Sequence, residues 1–294
     1  MPAKGACFMS HVHATPVSHL TDPGSHGAGP EIDLDAALSE LRAASPLVQC
    51  LTNIVAANFT ANVLLSAGAI PAMVDNSREA RLFAGAANVV LVNTGTPYPD
   101  TAQAMTEAAS GASSAGHPWV LDPVAASLPW RGQIALDTLR AANPTIIRGN
   151  ASEILALAGE ASGGRGPDST DEAHAALASA QQLAAEHHCV VAVSGPIDLI
   201  TDGKRVVSAA NGHPWMTKVT AVGCALGALM AAFAAVCEPL DAAVAATSLL
   251  CVAAERAAAE SRAPGSFAVA LLDQLSLVSP AELAAAAKVH DVEA

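Results

Sequence analysis

The stretch NVVLVNTGTPYPDTAQAMTEAASGASSAGHPWVLD, residues 88–122, has the pattern of a strand, a helix and a second strand. Its ends, NVVLVN (88–93) and PWVLD (118–122), are continuous apolar runs, which is typical of strands covered by helices on both faces. The segment between them, TAQAMTEAASGASSAG (101–116), has the length and alanine content of a helix. The stretch therefore predicts an α/β fold with a parallel sheet.

The same alternation continues on both sides of this stretch, from about residue 46 onward. DLITDGKRVVSAA (198–210) predicts an antiparallel hairpin that turns at Asp202 and Gly203, and ASGGRGPDST (161–170) predicts a flexible connection. We expect a single domain over residues 31–294, with a mostly parallel central sheet, helices on both faces and an antiparallel element near one edge. The further predicted strands are PLVQCL (46–51), IPAMV (70–74), TIIRG (145–149) and CVVAVSG (189–195).

Charge and cysteine content limit the classes of partner. With 27 acidic against 14 basic residues, the net charge is −13, which repels nucleic acid and anionic membrane surfaces. The six cysteines form no CxxC pair, and several lie inside apolar runs, as expected of reduced thiols in a cytoplasmic protein.

Residues 1–30 differ from the rest of the chain in composition. Their scattered histidines could bind a metal together with Cys7, but we expect a disordered, histidine-rich tail.

The uncharged segment from Val219 to Cys237 is 19 residues long, at the lower limit for a membrane span. Seven of these residues are alanine and two are glycine, so transfer to lipid would gain little free energy. Small residues favour close packing of a helix on a sheet. We therefore expect a buried helix and no membrane association.

Polar or glycine-containing clusters follow nearly every predicted strand. Ligands in open parallel sheets bind at the carboxyl ends of the strands, so these clusters predict one binding site along a single edge of the sheet. The clusters are Thr52-Asn53, Asp75-Asn76, Asn93-Thr94-Gly95-Thr96, Asp122-Pro123, Arg148-Gly149-Asn150 and Ser194-Gly195.

The segment TAVGC (220–224) opens the alanine-rich helix. A Thr- and Gly-containing loop at a helix start offers unpaired backbone N–H groups and the positive end of the helix dipole, which together bind phosphate. The same position is expected to lower the pKa of Cys224. Such residues also begin helices that bind no ligand, so this segment alone decides nothing.

The segment RGNASE (148–153) supports two interpretations. Asn150 as N-cap with Glu153 three residues later is a capping box, which is a purely structural feature. Alternatively Asn150 and Glu153 hold Mg²⁺ while Arg148 pairs with a nucleotide phosphate. Asp122 would add a second carboxylate to the metal site, and Ser194 could contact the nucleotide.

Taken together, these pieces resemble the hydroxyethylthiazole kinases, a branch of the ribokinase-like superfamily, from about Pro46 to the C-terminal helices. The resemblance rests on the order of the following segments: PLVQCLTNIVAANFTANVLLSAGAIPAMV, NTGT, LDPV, IIRGNASEI, VSGPIDLITDG and VTAVGCALGALMAAF.

The resemblance implies Mg²⁺-dependent transfer of the γ-phosphoryl group of ATP to the primary alcohol of 4-methyl-5-(2-hydroxyethyl)thiazole, in a homotrimer with sites between subunits. It also implies the roles of individual residues. Cys224 would be catalytic, acting as a weak base on the hydroxyl. The substrate would be bound by Met73, Asn53, Gly95, Thr96, Ala221 and Gly223, the nucleotide by Arg148, Ser194 and Asn150, and the metal by Asp122 and Glu153.

The chain departs from the pattern that the resemblance implies, since AVGC (221–224) stands where the family usually has GTGC or a close variant. Ala221 and Ala125 stand where the family usually has glycine, so the added methyl groups could narrow the pocket or change the loops. Thr94 replaces the usual aliphatic residue. Two other functions therefore stay open, namely a kinase of another small alcohol such as a hydroxymethylpyrimidine, and a nucleotide or thiazole sensor without turnover.

Overall fold

The structure is a computed structural model that describes residues 32–160 and 176–292. The histidine-rich segment 1–30 and the connection 161–170, on which the sequence placed a disordered tail and a flexible loop, lie outside the described residues.

Strands and helices alternate through the first half of the chain. In order they are α1 (Leu34–Ala44), β1 (Leu47–Leu51), α2 (Ala57–Ala67), β2 (Ile70–Ala72), α3 (Ala80–Ala84), β3 (Val89–Asn93), α4 (Pro99–Ala115), β4 (Trp119–Asp122), α5 (Pro129–Ala141), β5 (Ile146–Asn150) and α6 (Ala151–Leu157).

The second half ends in consecutive helices. Its elements are α7 (Leu177–His187), β6 (Val190–Ser194), β7 (Asp198–Thr201), β8 (Val206–Ala209), a 3₁₀ helix (Pro214–Lys218), α8 (Val222–Ala234), α9 (Pro239–Glu260), α10 (Pro264–Leu277), α11 (Pro280–Ala286) and β9 (Val289–Asp291).

All described strands belong to one sheet, in the order β2-β1-β3-β4-β5-β6-β7-β8-β9. The strands from β2 to β6 are parallel, and β7, β8 and β9 are antiparallel to their neighbours. Within the stretch quoted first, β3 and β4 pair in parallel, with Val90 opposite Trp119 and Asn93 opposite Asp122. The predicted mostly parallel sheet and the antiparallel hairpin are confirmed. Strand β9 and helix α1 were not predicted.

Two apolar cores lie on opposite faces of the sheet. Along β3, Val89 and Leu91 face one core, whereas Val90 and Val92 face the other, because side chains alternate across a strand. Helices α1, α2, α8, α9 and α10 cover the first face, and α3 to α7 cover the second. Every residue of β3 is buried, which explains its continuous apolar sequence.

Helix ends follow local sequence signals. Pro99 begins α4, where its missing N–H costs nothing, and Gly116 ends it with a φ of 73°. The unpredicted helix α1 also has a signal, since the Asp33 side chain accepts a hydrogen bond of 2.9 Å from the Ala36 amide. Its apolar residues Leu34, Leu38 and Leu41 all face the first core.

The long apolar helices are packed within the protein. Helix α8, the centre of the segment considered as a membrane span, is buried along most of its length, as predicted. Among the described residues, the helix Pro239–Glu260 is long and apolar enough to cross a bilayer, but 78% of its most apolar window is buried inside the protein.

The contact between α3 and α4 depends on Gly111. A Cβ atom at this position would lie 2.5 Å from the Arg81 carbonyl oxygen, which is backbone and cannot move cheaply. We expect Gly111→Ala to lower the free energy of unfolding by about 1 to 3 kcal/mol, measured by urea denaturation. Gly265 in the first turn of α10 has open space around the same position, so Gly265→Ala should be neutral or stabilising by up to about 1 kcal/mol. Equal effects of the two substitutions would contradict this packing.

Candidate active site

A connected set of polar side chains runs along the carboxyl ends of the parallel strands. It begins at the loop after β1, where the Asn53 side-chain amide donates to Cys224 Sγ at 3.3 Å and to Asn93 Oδ1 at 3.0 Å. Asn93, at the end of β3, donates in turn to Asp122 Oδ2 at 2.7 Å. Four chain segments that are distant in sequence therefore meet through three hydrogen bonds.

The set continues across the next two strands through Arg148. Its Nη1 lies 3.6 Å from Asp122 Oδ1, and its Nε and Nη2 atoms donate to Ser194 Oγ at 3.2 and 2.9 Å. Asp122 is fully buried and Arg148 is 8% exposed. The attraction between a buried carboxylate and a buried guanidinium offsets part of the free-energy cost of removing each charge from water, so the pair can be buried.

The N-terminus of α8 lies against this pair. A Cβ atom on Gly223 would be 3.1 Å from Arg148 Nη2, and one on Gly227 would be 3.3 Å from Asp122 Oδ2. The first amides of a helix have no partner within the helix, and Ala221, the N-cap residue of α8, makes no side-chain cap hydrogen bond. The start of α8 therefore lies next to the Asp122–Arg148 pair; a shared ligand site for these groups stays a prediction.

The two alanines that replace glycine adopt left-handed backbone conformations. The φ angle is 73° at Ala221 and 55° at Ala125. A residue with a Cβ pays of the order of 1 kcal/mol for this conformation. The alanines therefore keep the backbone that glycine would favour. At Ala125 the conformation is supported by a 3.0 Å hydrogen bond from its amide to Glu153 Oε1.

The segment after β5 is a capping box, as the structural interpretation of the sequence required. Asn150 Oδ1 accepts from the Glu153 amide at 3.0 Å, and Glu153 Oε2 accepts from the Asn150 amide at 2.9 Å. Each Glu153 oxygen thus accepts one backbone N–H and keeps a further lone pair. The use of Asn150 and Glu153 toward a ligand stays a prediction.

The acidic residues fit a magnesium ion that is shared with phosphate oxygens. Asp122 Oδ1 is buried and has no hydrogen-bond donor among the described residues. Burial raises the pKa of Asp122 to about 7, since the opposing effect of the Arg148 charge is smaller and the nearby charge of Glu153 adds to the rise. No group of three or more His, Cys, Asp or Glu residues in the described ranges could hold a metal alone. Mg²⁺ commonly uses one or two carboxylates plus substrate phosphates, so two carboxylates suffice.

The expected low pKa of Cys224 is wrong. Burial and then the charge of Asp122 raise the pKa of this thiol, and the hydrogen bonds from Asn93 and Asn53 only partly oppose them. The helix N-terminus suggested a thiolate, but nothing in the segment around Cys224 indicates that a buried carboxyl group lies beside it. Cys224 is therefore a neutral thiol at neutral pH.

A cavity of about 540 Å³ lies beyond Ser194, between the end of β6 and the loop that follows β8. Its wall includes the buried side chains of Asp198 and Cys251. Asp198 accepts from the Gly195 amide at 2.9 Å and from the Cys251 thiol at 3.9 Å. Neither Asp198 nor Cys251 was singled out from the sequence, although Asp198 lies in the quoted segment VSGPIDLITDG.

The remaining predicted substrate residues lie at the same end of the sheet. Gly95 approaches Asn53 so closely that a Cβ atom there would lie 2.8 Å from Nδ2. Thr96 Oγ1 accepts from the Ile54 amide at 3.2 Å. Met73 follows the outermost strand β2 and is 39% exposed, and no described hydrogen bond joins it to the polar set. The sequence motif NTGT includes Asn93, but its hydrogen bonds with both Asn53 and Asp122 were not predicted.

Comparison with solved structures identifies the class of fold. A ribokinase-like superfamily protein from Enterococcus faecalis superposes with a TM-score of 0.57 at 14% identity, covering 85% of this chain and 91% of that chain. A hydroxyethylthiazole kinase protein from Pyrococcus horikoshii superposes with a TM-score of 0.82 at 36% identity, covering 88% of this chain and 99% of that chain. The fold is therefore ribokinase-like.

Sequence comparison identifies the family. The hydroxyethylthiazole kinase family model matches residues 38–281. A hydroxyethylthiazole kinase of Cutibacterium acnes is 54% identical over the full length of both chains, and one of Clavibacter sepedonicus is 56% identical over 83% of this chain and 89% of its own. The chain belongs to the hydroxyethylthiazole kinase family and is a kinase.

The buried carboxyl group of Asp198 makes stability depend on pH. Burial raises its pKa to about 6, so folding favours the protonated form, and its contribution to stability is lost as the pH rises from about 4 through 6. Asparagine can still accept from Gly195 and carries no charge. From pH 4 to pH 7, Asp198→Asn should gain roughly 2 kcal/mol in free energy of unfolding relative to the unsubstituted protein. Urea denaturation at both pH values measures this; a constant difference would contradict it.

Proposed function

We propose that this kinase transfers the γ-phosphoryl group of ATP to the primary alcohol of 4-methyl-5-(2-hydroxyethyl)thiazole, with Mg²⁺, and that the product feeds thiamine phosphate synthesis. The observation that carries the proposal is the close approach of the first turn of α8, the Asp122–Arg148 pair and Cys224. Such an arrangement brings anion-binding amides, a cation and a hydroxyl-binding group together.

The nucleotide is assigned to the side of Arg148 and Ser194. The cavity of about 540 Å³ is large enough for a nucleoside, and its lining includes Ser194, whose hydroxyl oxygen accepts from the Arg148 guanidinium at 2.9 Å. A guanidinium presents several N–H donors in a plane and pairs well with phosphate. Asn150, at the end of β5, fixes the start of α6 through its capping box. We assign it to the nucleotide side of the site together with Arg148 and Ser194.

The transferred group is assigned to the first turn of α8. Phosphoryl transfer spreads negative charge over the equatorial oxygens, and catalysis depends mainly on positioning and charge neutralisation. Positioning and charge neutralisation are assigned to groups in fixed positions, namely the Arg148 guanidinium and the amides of Val222, Gly223 and Cys224. Asp122 and Glu153 would hold Mg²⁺, which supplies further positive charge to the phosphates.

The alcohol is assigned to the side of Cys224 and Asn53. The thiol is neutral, so we assign Cys224 to orienting the hydroxyl. The hydroxyl proton leaves late in a loose transition state and can pass to an oxygen of the transferred phosphoryl group, so the side chain need not act as a base. Asn53 fixes the sulfur through its 3.3 Å hydrogen bond. Further contacts to the thiazole are assigned to Met73, Gly95, Thr96, Ala221 and Gly223.

A phosphorylation assay tests the activity. With ATP and Mg²⁺, we expect the thiazole alcohol to stimulate ADP release at least tenfold over the rate without acceptor, and to do so better than hydroxymethylpyrimidine. Stronger stimulation by hydroxymethylpyrimidine would identify another small-alcohol kinase. Binding of ATP and thiazole without any ADP release would instead identify a sensor and refute the proposed reaction.

Substitution of Cys224 tests its role at the hydroxyl. Cys224→Ser keeps a hydrogen-bonding group but shortens its reach, so kcat should fall at least tenfold while the Kd for ATP changes less than twofold. Cys224→Asp should retain measurable turnover, because a carboxylate can accept a hydrogen bond, and finally the proton, from the hydroxyl. Direct titration with ATP and steady-state kinetics separate the two effects. A large loss of ATP affinity in Cys224→Ser would place the thiol at the nucleotide instead.

We further propose that the protein is a homotrimer with its sites between subunits. Large apolar side chains are exposed beside the site, including Ile54, Val55 and Met73, and others follow along α2 and β2, namely Leu65 and Ile70. Contiguous exposed apolar surface of this kind marks an interface. Sedimentation equilibrium should give three times the chain mass of 29.4 kDa, and Leu65→Glu should lower both the mass and the activity. A fully active monomer would contradict the shared site.

A further inference from the structure

The loop after β8 forms one wall of the 540 Å³ cavity. Residues 210–214, together with Met216 and Thr217, line this wall, and the chain then leads through the 3₁₀ helix to the left-handed turn at Ala221. The position of this loop therefore sets both the width of the cavity and the approach to the first turn of α8.

The side chain of Asn211 joins this wall to the C-terminal segment and to α9. It is 4% exposed, and its Oδ1 accepts from the backbone N–H of Lys288 at 2.6 Å. Its Nδ2 donates to the Ala286 carbonyl at 3.1 Å and to Glu255 Oε2 at 3.2 Å. A buried amide with its hydrogen bonds made is held in one orientation, and loss of one partner leaves a polar atom unpaired.

Glu255 of α9 connects the same wall to Lys288. Its Oε1 accepts from the Gly212 amide at 3.1 Å and from Lys288 Nζ at 3.1 Å. Gly212 has a φ of 136°, a conformation that residues with a Cβ rarely adopt. The backbone of the wall is therefore fixed in an unusual conformation by contacts made outside the cavity.

The contacts of Asn211 with Ala286 and Lys288 come from the C-terminal segment 286–291, which follows the last residue matched by the family model, residue 281. The segment adds β9 to the sheet beside β8, and the Ala210 amide donates to the Lys288 carbonyl at 3.0 Å. Lys288 thus contacts two consecutive residues of the wall, Ala210 and Asn211, through its backbone alone.

We propose that the C-terminal segment 286–291 is a positioning element for the nucleotide cavity, and that the Lys288 N–H acts through Asn211. This inference rests on the function proposed above, in which the cavity holds the nucleotide. The segment touches no reacting group, so its effect falls on nucleotide affinity. If β9 merely extended the sheet, its loss would lower stability and leave affinity unchanged.

A matched pair of substitutions at Lys288 separates the backbone donor from the side chain. Lys288→Pro removes both the N–H to Asn211 and the ammonium group, whereas Lys288→Met removes only the ammonium group. The preceding residue, Ala287, has φ −67° and ψ 133°, a conformation that a following proline favours. The Lys288 side chain is 57% exposed, so both full-length variants should fold.

The Kd for ATP, the KM values for ATP and thiazole alcohol, kcat and the Tm are measured for each variant. Lys288→Pro should raise the Kd and KM for ATP about tenfold, the effect of leaving one buried polar group unpaired, with kcat and the KM for the alcohol within twofold. Lys288→Met should match the unsubstituted protein within twofold, because the exposed ion pair of the ammonium group with Glu255 contributes little and Glu255 still accepts from the Gly212 amide. Asn211→Ala provides a second route to the same loss of ATP affinity.

Equal ATP affinity of Lys288→Pro and Lys288→Met would overturn the inference, even if the Tm of Lys288→Pro fell. In that case normal turnover of the unsubstituted protein would leave the proposed function intact. If Lys288→Pro does not fold, unchanged ATP affinity in Asn211→Ala overturns the inference. Failure of the unsubstituted protein to bind ATP would remove both proposals together.

Discussion

The buried ion pair of Asp122 and Arg148 is the constraint on which the rest of the site depends. Charges within a protein are tolerated when they are paired and hydrogen-bonded. Here Asn93 donates to the carboxylate and Ser194 accepts from the guanidinium, so the groups that stabilise the two charges come from β3, β4, β5 and β6. Because these strands are parallel, their carboxyl ends lie at one edge of the sheet, and these side chains reach one another directly from the strand ends.

The small residues of α8 follow from the same constraint. A helix can present its N-terminal amides to a buried charge only if its axis lies close to the sheet edge. Gly223 and Gly227 face Arg148 and Asp122 at distances that leave a Cβ little room. The glycines of this helix therefore allow close packing on polar groups, whereas its alanines lie in the first apolar core. The same close approach partly buries Cys224 beside Asp122, which raises the pKa of its thiol.

Much of the architecture could be predicted because its signals are local. The continuous apolar run of β3 and the polar residues after each parallel strand depend on burial and strand direction alone. Contacts between distant segments could not be predicted in this way. Nothing in NTGT shows that the Asn93 amide joins Asn53 to Asp122, and nothing near residue 211 shows that Lys288 completes its hydrogen bonds. The prediction of a low pKa for Cys224 was wrong for the same reason, since Asp122, its neighbour in the fold, is 102 residues away in sequence.

The alanines at 125 and 221 show how a site tolerates local strain. Each adopts a φ that costs free energy, and each lies next to a fixed polar group. The amide of Ala125 is held by Glu153, whose other oxygen caps the helix after β5, so one carboxylate supports a strained loop and a helix start together. After Ala221, the backbone at Gly223 lies close to the Arg148 guanidinium. A helix start without a side-chain cap beside a cation is unfavourable on its own, and a bound anion would relieve it. The left-handed turn at Ala221 is therefore consistent with the anion that the proposed phosphoryl transfer would bring to it.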